Sequence, residues 1–463
     1  MISSFFKNRK LLIFSIISMS LPAIGEMALN TMLGVSDTIM ISRMVGTEAL
    51  AAVGFANQIV FVLIFVFSSF NTGAVALISR SLGEKNFGKL RHIAQQNVVL
   101  NLMIALIILG LSIPFSSGIL SIFDTSPAIY RNSLLYFRII LVGFVPMFLS
   151  FAFAAILRGA GDTVTPMVVT GIANGINIIG NYLLIKGVGP FPELGIAGAA
   201  WATSGSRILA VLIYIYVLYQ KPSETRLRFR FIFDTEILKP LWRISLPGAI
   251  EQGLMQLSFL TVGVIISRLD TASEAAFRVL IQIESISFMP AVGVSIATAT
   301  LVGKALGEKN PGKAVETGYL SSGMGILWGI FIGAVFLLFP QGILSLFSMD
   351  SELIDAAIFT MVLLGLNQIG LNFNIILAGA LRGAGDTQKV MVITVSRLWL
   401  IFVPLSYLFI VRLQSGIPGI WYAEMISFAV FGTLLLLRFR GKKWMNQKTG
   451  IDSPERDPEA VAV

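Results

Sequence analysis

Long apolar stretches separated by short polar turns run the length of this chain. Stretches long enough to cross roughly 30 Å of hydrocarbon lie at about 18–42, 50–79, 93–117, 132–157, 164–186, 195–219, 241–267, 275–303, 315–340, 354–381, 389–411 and 416–438. Twelve such stretches predict an all-α integral membrane protein with twelve transmembrane helices.

The stretches fall into two sets, because the chain repeats itself. LRGAGDT occurs at Leu157 to Thr163 and again at Leu381 to Thr387. SLP at Ser20 to Pro22 recurs at Ser245 to Pro247, ISR at Ile41 to Arg43 recurs at Ile266 to Arg268, and LGEKN at Leu82 to Asn86 recurs at Leu306 to Asn310. The offset is 225 from Ser20 to Ser245 and 224 from Leu82 to Leu306, so one copy lost a residue between Arg43 and Asn86. A period this long marks a fused pair of whole domains rather than a solenoid. Each copy holds six stretches, and an even number sends both into the bilayer in the same orientation, the parallel-repeat plan. The expected organisation is a six-helix bundle at 1–219, a cytoplasmic linker at 220–240, a second six-helix bundle at 241–438 and a polar tail at 439–463, expected to be disordered. A substrate path would then lie between two similar lobes.

Composition agrees with membrane residence: 55% of the 463 residues are hydrophobic and 13% charged, with a mean hydropathy of +0.83, more apolar surface than a soluble domain hides. Basic residues gather on one set of turns, including Arg80, Lys85, Lys89 and Arg91, then Lys221 to Arg243, then Lys304, Lys309 and Lys313. The opposite turns hold little more than Arg43, Arg131, Lys186, Arg268, Arg278 and Arg412. By the positive-inside rule both termini face the cytoplasm and the protein is a multi-pass component of the cell membrane. The net charge of +9 is accounted for by inner loops that meet anionic lipid, so no nucleic-acid partner is expected. The basic start followed by an apolar run is like a signal peptide, but no small-residue cleavage site follows, so the segment is expected to be retained. The absence of Cys excludes disulfides, iron–sulfur clusters and thiolate zinc sites. His92, the only histidine, reads as an interfacial polar residue, and no cofactor is expected.

The glycine-rich RGAGDT turns lack the spacing of a dinucleotide loop and the Lys and Ser/Thr of a phosphate loop. They read instead as tight connections in which Arg158 and Arg382 end a span and Asp162 or Asp386 caps the next helix. Chemistry is sought in charges at membrane depth, each expensive and a functional candidate by default. These are Glu26, Asp37, Arg138 and Arg207 in the first copy, and Glu251, Glu284, Arg397 and Glu424 in the second. Glu26 and Glu251 are repeat equivalents; either they bind substrate, or Arg207 neutralises Glu26 and Arg397 neutralises Glu251 or Glu284 in structural pairs that hold helices together. Asp37 has Val262 at its matching position and no Arg at helical spacing on its own span, which suggests that coupling is asymmetric and resides in the first lobe. A carboxylate there can load and release a proton. Amides surround it in the same copy: Asn30, Asn57, Gln58, Asn71, Asn174, Asn177 and Asn181. Asn174, Asn177 and Asn181 share one helical face, expected to line a polar cavity with Glu26, Glu251, Gln282 and Glu284.

SLP, the GxxDT stretch ending the first span, the paired RGAGDT turns, NIIGNYLLI in the fifth span and GIAGAAWAT opening the sixth together resemble the MATE multidrug and toxic compound exporters. The resemblance covers about Ser20 to Arg438. It implies two six-helix bundles around a central cavity that alternates between inward-open and outward-open forms. It also implies export of organic, often cationic or amphipathic, compounds against an inward flow of protons or sodium. By the same resemblance Asp37 corresponds to the family's cation-coupling aspartate, Pro22 to the proline at which the first helix bends, Asn177 to a neighbouring asparagine and Thr203 to a threonine of the sixth helix. The family's second aspartate in this lobe is Asn181 here, which removes a negative ligand and favours H+ over Na+ as the coupling ion. The tenth-span aspartate of some branches is also absent around Leu371 and Asn372, and Glu251 resembles a seventh-helix glutamate but stands closer to its proline.

Two other classes compete. A flippase for lipid-linked sugars, from a related superfamily, would line its cavity with several basic residues, and few Arg lie at depth here. An enzyme would need a nucleophile–base set or a metal cluster, which one His and no Cys do not supply. A monomeric, non-enzymatic exporter with Met- and Phe-rich surfaces for varied substrates is the expectation.

Overall fold

The computed structural model describes residues 2–220, 233–347, 351–447 and 450, so the expected linker between 221 and 232 and most of the expected polar tail lie outside the described residues. Every regular element among the described residues is helical. Twelve spans follow in order: α1 (Ile2–Met44), α2 (Thr47–Gly83), α3 (Phe87–Leu120), α4 (Pro127–Val142 with Phe144–Gly159), α5 (Val164–Lys186), α6 (Ile196–Gln220), α7 (Thr235–Ile266), α8 (Thr271–Gly307), α9 (Pro311–Leu338), α10 (Ser351–Gly383), α11 (Thr387–Arg412) and α12 (Pro418–Arg440). Eleven are long and apolar enough to cross a membrane, α2 with a turn at Ser69–Phe70, and α4 makes a twelfth if its two halves count as one bent span.

The repeated motifs build repeated local structure. In both LGEKN turns the lysine adopts a left-handed conformation, Lys85 at φ 55° and Lys309 at φ 54°. The following asparagine caps the next helix: Asn86 accepts from the Lys89 backbone N–H at 2.9 Å, and Asn310 from that of Lys313 at 3.0 Å. An N-cap side chain satisfies a helix-start donor that has no partner within the helix. In the RGAGDT turns Gly161 and Gly385 take φ +89° and +85°, the region where a side chain would be strained.

The two aspartates of those turns diverge. Asp162 caps α5, accepting from the Thr165 backbone N–H at 2.9 Å and its hydroxyl at 2.6 Å. Asp386 makes no side-chain cap bond. It accepts instead from Arg438 Nε at 2.6 Å and Nη2 at 3.1 Å and from Gln447 at 3.0 Å. A bidentate guanidinium outcompetes a backbone amide for a buried carboxylate, and the first copy, aligned through GIAG at 195–198 and GIPG at 416–419, has Val217 where the second has Arg438.

Two compact units carry the packing: one combines the chain up to Ile24 with Leu246–Thr449, the other runs Gly25–Ser245. The division therefore falls within the two repeat-equivalent helices α1 and α7, beside Pro22 and Pro247, rather than between α6 and α7. Within the first unit, a Cβ added to Gly293 of α8 would meet the Ile24 side chain and lie 3.2 Å from the Ser20 carbonyl. Within the second, one added to Gly73 of α2 would meet the Ser245 hydroxyl and lie 3.1 Å from the Leu241 carbonyl. Ser20 and Ser245 are the serines of the two SLP motifs, so the motif marks where a helix beds against a glycine.

Pro22 sits inside the continuous helix α1, while α4 bends by 46° at Gly143. Pro146 explains the bend: its ring opposes the carbonyl four residues back, that of Val142, and it donates no hydrogen bond. The matching stretch of α10 has Gly370 in place of Pro146 and runs on unbroken. In α11, π turns at Arg397–Phe402 and Leu408–Arg412 flank Pro404, whereas α5 remains a regular α-helix.

Close approach of α9 to α10 rests on a glycine stripe, as helix packing in membranes commonly does. A Cβ at Gly329 would lie 2.7 Å from the Gln368 carbonyl and 2.8 Å from Ile369 Cα, and one at Gly333 would lie 2.5 Å from the Gly365 carbonyl. Backbone cannot yield as a side-chain tip can. Gly329→Leu is therefore expected to lower the thermal midpoint of the purified protein by an amount equivalent to about 1–3 kcal/mol of overpacking, while Gly323→Leu, whose Cβ meets nothing within 4 Å, leaves it near wild type. Equal midpoints for the two variants would refute this packing argument.

Candidate functional site

The polar residues of α1, α5 and α6 meet around Asp37. Asn181 and Asn177 lie one turn apart on α5 and both are fully buried, and the spacing aims them at the same neighbours. Asn181 Nδ2 donates to Asp37 Oδ1 at 2.6 Å and to Asn177 Oδ1 at 3.1 Å. Asn177 Nδ2 lies 3.1 Å from the hydroxyl of Thr203 on α6, which itself donates to the Ala199 carbonyl at 2.9 Å. With its amide turned over, Asn177 satisfies both of its ends better: its NH2 donates to Asp37 Oδ1 at 3.0 Å, and its oxygen accepts from the Thr203 backbone N–H at 3.2 Å and hydroxyl at 3.1 Å. In that orientation one carboxylate oxygen receives two amide donors, and the bond from Asn181 to Asn177 is given up, the two side-chain nitrogens then facing each other at 3.1 Å.

A cation completes the group. Arg207, one helical turn beyond Thr203 on α6, acts electrostatically on both Asp37 and Tyr136 of α4. Its Nη1 is buried without a hydrogen-bond partner. The expectation that Arg207 neutralises Glu26 is thus corrected, and Asp37, which has no Arg at helical spacing on its own span, is supplied with one from α6. Tyr136, which sequence reasoning passed over, is buried and lies beside Asn57 of α2, so Asn57 joins the periphery of the same group.

The other candidates are placed differently. Glu26 is bound by Arg158 Nη2 at 2.5 Å and Glu251 by Arg382 Nη2 at 2.6 Å. Both glutamates therefore pair with the arginines of the RGAGDT turns, and Arg397 is not the ion-pair partner of Glu251. The signal was available in the repeat: acid and base stand 132 residues apart in one copy and 131 in the other. Asn174 is buried and donates to the Leu29 carbonyl at 2.9 Å, whereas Asn30, Gln58 and Gln282 are exposed. Glu251, Gln282 and Glu284 belong to the other compact unit, and Glu284 is buried there. His92 contacts Asp234 at 2.8 Å, fastening the start of α7 to α3.

The MatE family model matches residues 22–183 and again 247–408, one match per copy, each beginning at the proline of an SLP motif. The chain belongs to the MatE family. Curated relatives cover it almost from end to end. It is 32% identical over 448 residues to a probable multidrug resistance protein NorM of Thermotoga maritima, covering 96% of this chain and 95% of the relative. It is 27% identical over 426 residues to an FAD transporter of Shewanella oneidensis, covering 90% and 92%. Among solved structures, a MATE protein in a bent conformation superposes with a TM-score of 0.86 at 24% identity, covering 94% of this chain and 97% of that one. A MOP-superfamily transporter from Pyrococcus furiosus gives 0.85 at 22%, covering 94% and 96%. The fold is therefore that of MATE transporters. Asn181 remains an amide between Asp37 and Asn177 in this MATE chain, so the α1–α5–α6 group carries one acid and one base.

Proposed function

We propose that this MATE-family transporter is a proton-driven antiporter that exports small organic compounds, often cationic or amphipathic, by alternating access, with Asp37 as the coupling carboxylate. The observation that carries the reading is the group around Asp37: one carboxylate, two amide donors and the charge of Arg207 within electrostatic reach. When Asp37 is ionised it accepts from Asn181 and attracts Arg207. When a proton neutralises it, both attractions weaken, and the relative stability of two conformations shifts by the difference. Sodium is a poorer fit, because a metal ion needs several oxygen ligands and net negative charge, and Arg207 balances the single acid. The multidrug resistance proteins among its relatives support the substrate class.

Transport in proteoliposomes with proton and sodium gradients imposed separately tests the reading. Each proton moving down about 100 mV contributes about 2.3 kcal/mol, enough to support roughly 50-fold accumulation of a neutral substrate per proton. Accumulation is expected with a pH gradient plus potential and is insensitive to replacing sodium with potassium. Accumulation that needs sodium and ignores the pH gradient would overturn it.

The same proposal places the protein in the cytoplasmic membrane with both termini inside. Single cysteines can be introduced into this Cys-free chain at Ser126, between α3 and α4, and at Glu236, at the start of α7; both positions are exposed. An impermeant thiol reagent is expected to label Ser126→Cys in intact cells and Glu236→Cys only after permeabilisation. The reverse pattern would invert the topology.

A further inference from the structure

Of the charges at membrane depth in the first copy, Glu26 is paired with Arg158, Asp37 and Arg207 act on each other, and Arg138 belongs to neither set. It stands on α4, eleven residues after Pro127 and five before the bend at Gly143. In the orientation proposed above Pro127 lies at the outer surface. At 1.5 Å per residue Arg138 is then about 16 Å down the helix, below the headgroup layer and within the hydrocarbon. The second copy does not repeat it: registered on the RGAGDT turns 224 residues apart, Val362 stands at the matching position.

Arg138 faces away from the candidate site. Tyr136, two residues earlier, is buried beside Asn57 and Asp37, and two residues turn a helix by about 200°. Leu135 and Val142 share the Arg138 face at helical spacing and are 46% and 47% exposed; Arg138 is exposed with them. On α3, which Arg138 touches, Leu111 and Phe115 are exposed as well. An arginine thus emerges from an apolar face built by two neighbouring helices, the kind of face that acyl chains cover in a bilayer. Arg131, seven residues earlier and so on the same side of α4, is also exposed, which makes this face basic where it approaches the headgroups.

The protein leaves the charge of Arg138 unanswered. Its Nε donates to the Ser116 hydroxyl of α3 at 3.1 Å. Ser116 is fully buried and gives its own proton to the Ile113 carbonyl at 2.8 Å, so its oxygen is fixed as the acceptor. No carboxylate among the described residues pairs with Arg138, and neither of its terminal nitrogens bonds to the described residues. Helical side chains lean toward the N-terminus, which for α4 is the outer side. The guanidinium accordingly rises to the level of Ser116, four residues from the end of α3 at Leu120, about 6 Å below it. An arginine does not shed its proton, and an unpaired charge in hydrocarbon is among the costliest placements. Reaching the interface relieves that cost, and the two unbonded nitrogens match two oxygens of a phosphate.

We propose that Arg138 and Ser116 form a binding site for the phosphate of an anionic phospholipid in the outer leaflet, with one acyl chain lying along Leu111, Phe115 and Leu135. A zwitterionic lipid is the weaker ligand because its own cation competes for the phosphate. Bound there, the lipid ties the outer half of α4 to α3 just before the bend at Gly143. The site is independent of which ion drives transport.

Native mass spectrometry of the full-length protein, titrated in detergent with dioleoylphosphatidylglycerol, counts bound lipids and gives their dissociation constants. One lipid is expected to bind more tightly than the rest. Arg138→Gln is expected to weaken that lipid about tenfold through loss of charge-assisted hydrogen bonds. Arg138→Lys should retain part of the affinity, since the charge survives and the fork does not. Arg268→Gln removes an exposed charge from the outer turn of the second copy and is expected to change nothing. Dioleoylphosphatidylcholine should bind more weakly, and inorganic phosphate, which has no chain to lay on the apolar face, should not displace the tight lipid. Undiminished tight binding in Arg138→Gln, equal weakening in Arg268→Gln, equal affinity for the choline lipid, or displacement by inorganic phosphate would each overturn the site.

Discussion

Export against a gradient is expected to fall to background in Asp37→Asn, in a protein that still folds and keeps its thermal midpoint. Asparagine preserves the shape of the side chain and can still bond the amide of Asn181, which sits 2.6 Å away. It cannot change charge. If coupling consists of switching the attraction between Asp37, its amide donors and Arg207, a permanently neutral group leaves no protonation-dependent difference between conformations, and a ligand with equal affinity for both states shifts neither. The loss should appear in substrate accumulation in energised vesicles while binding of substrate to detergent-solubilised protein is retained. Asn181→Asp provides the converse test: a second acid beside Asp37 gives the group a net negative charge, and transport is expected to acquire a dependence on sodium. Undiminished uphill transport by Asp37→Asn would remove the coupling role from this residue and from the group built on it.

The second large effect is on stability and lies in the duplicated ion pairs. Glu26→Gln is expected to destabilise the protein by about 3 kcal/mol, because breaking one side of a buried pair strands the other charge. Glu26 is 9% and Arg158 24% exposed along their side chains, so Arg158 is left mostly desolvated. Glu251→Gln should behave alike, since Arg382 and Glu251 are 29% and 7% exposed. The double change Glu26→Gln with Arg158→Met is expected to cost less than the sum of the single changes, with a coupling of about 1–3 kcal/mol in a double-mutant cycle read from thermal midpoints. Turnover per folded molecule should be retained. Additive single costs, or raised apparent KM with unchanged midpoints, would instead place these glutamates in substrate binding.

Much of the candidate site was legible in single residues and little of it in pairs. Asp37, Asn177, Asn181 and Thr203 stand out because polar side chains in apolar spans are conspicuous, and helical spacing puts the two asparagines on one face. The contribution of Arg207 was hidden, because it comes from α6, 170 positions after Asp37 in the chain. The identical RGAGDT heptapeptides gave equal grounds for a capping role to Asp162 and Asp386, yet only Asp162 caps, since Arg438 reaches Asp386 from α12.

By itself the sequence determined the number of spans, the duplication and the sites where polar groups enter the membrane. Those properties depend on run length, composition and local spacing, which are written along one dimension. The 46° bend of α4 was also local in cause, through Pro146, though its size emerged only in three dimensions. Tertiary structure alone decided that Glu26 takes Arg158, that Glu251 takes Arg382, that Arg397 stacks on phenylalanines, and that the compact units divide within α1 and α7. Each of these depends on which helix faces are brought together, and in a bilayer that choice is made by close packing at glycines and by satisfying buried polar groups across helices, terms that act between residues far apart in the chain.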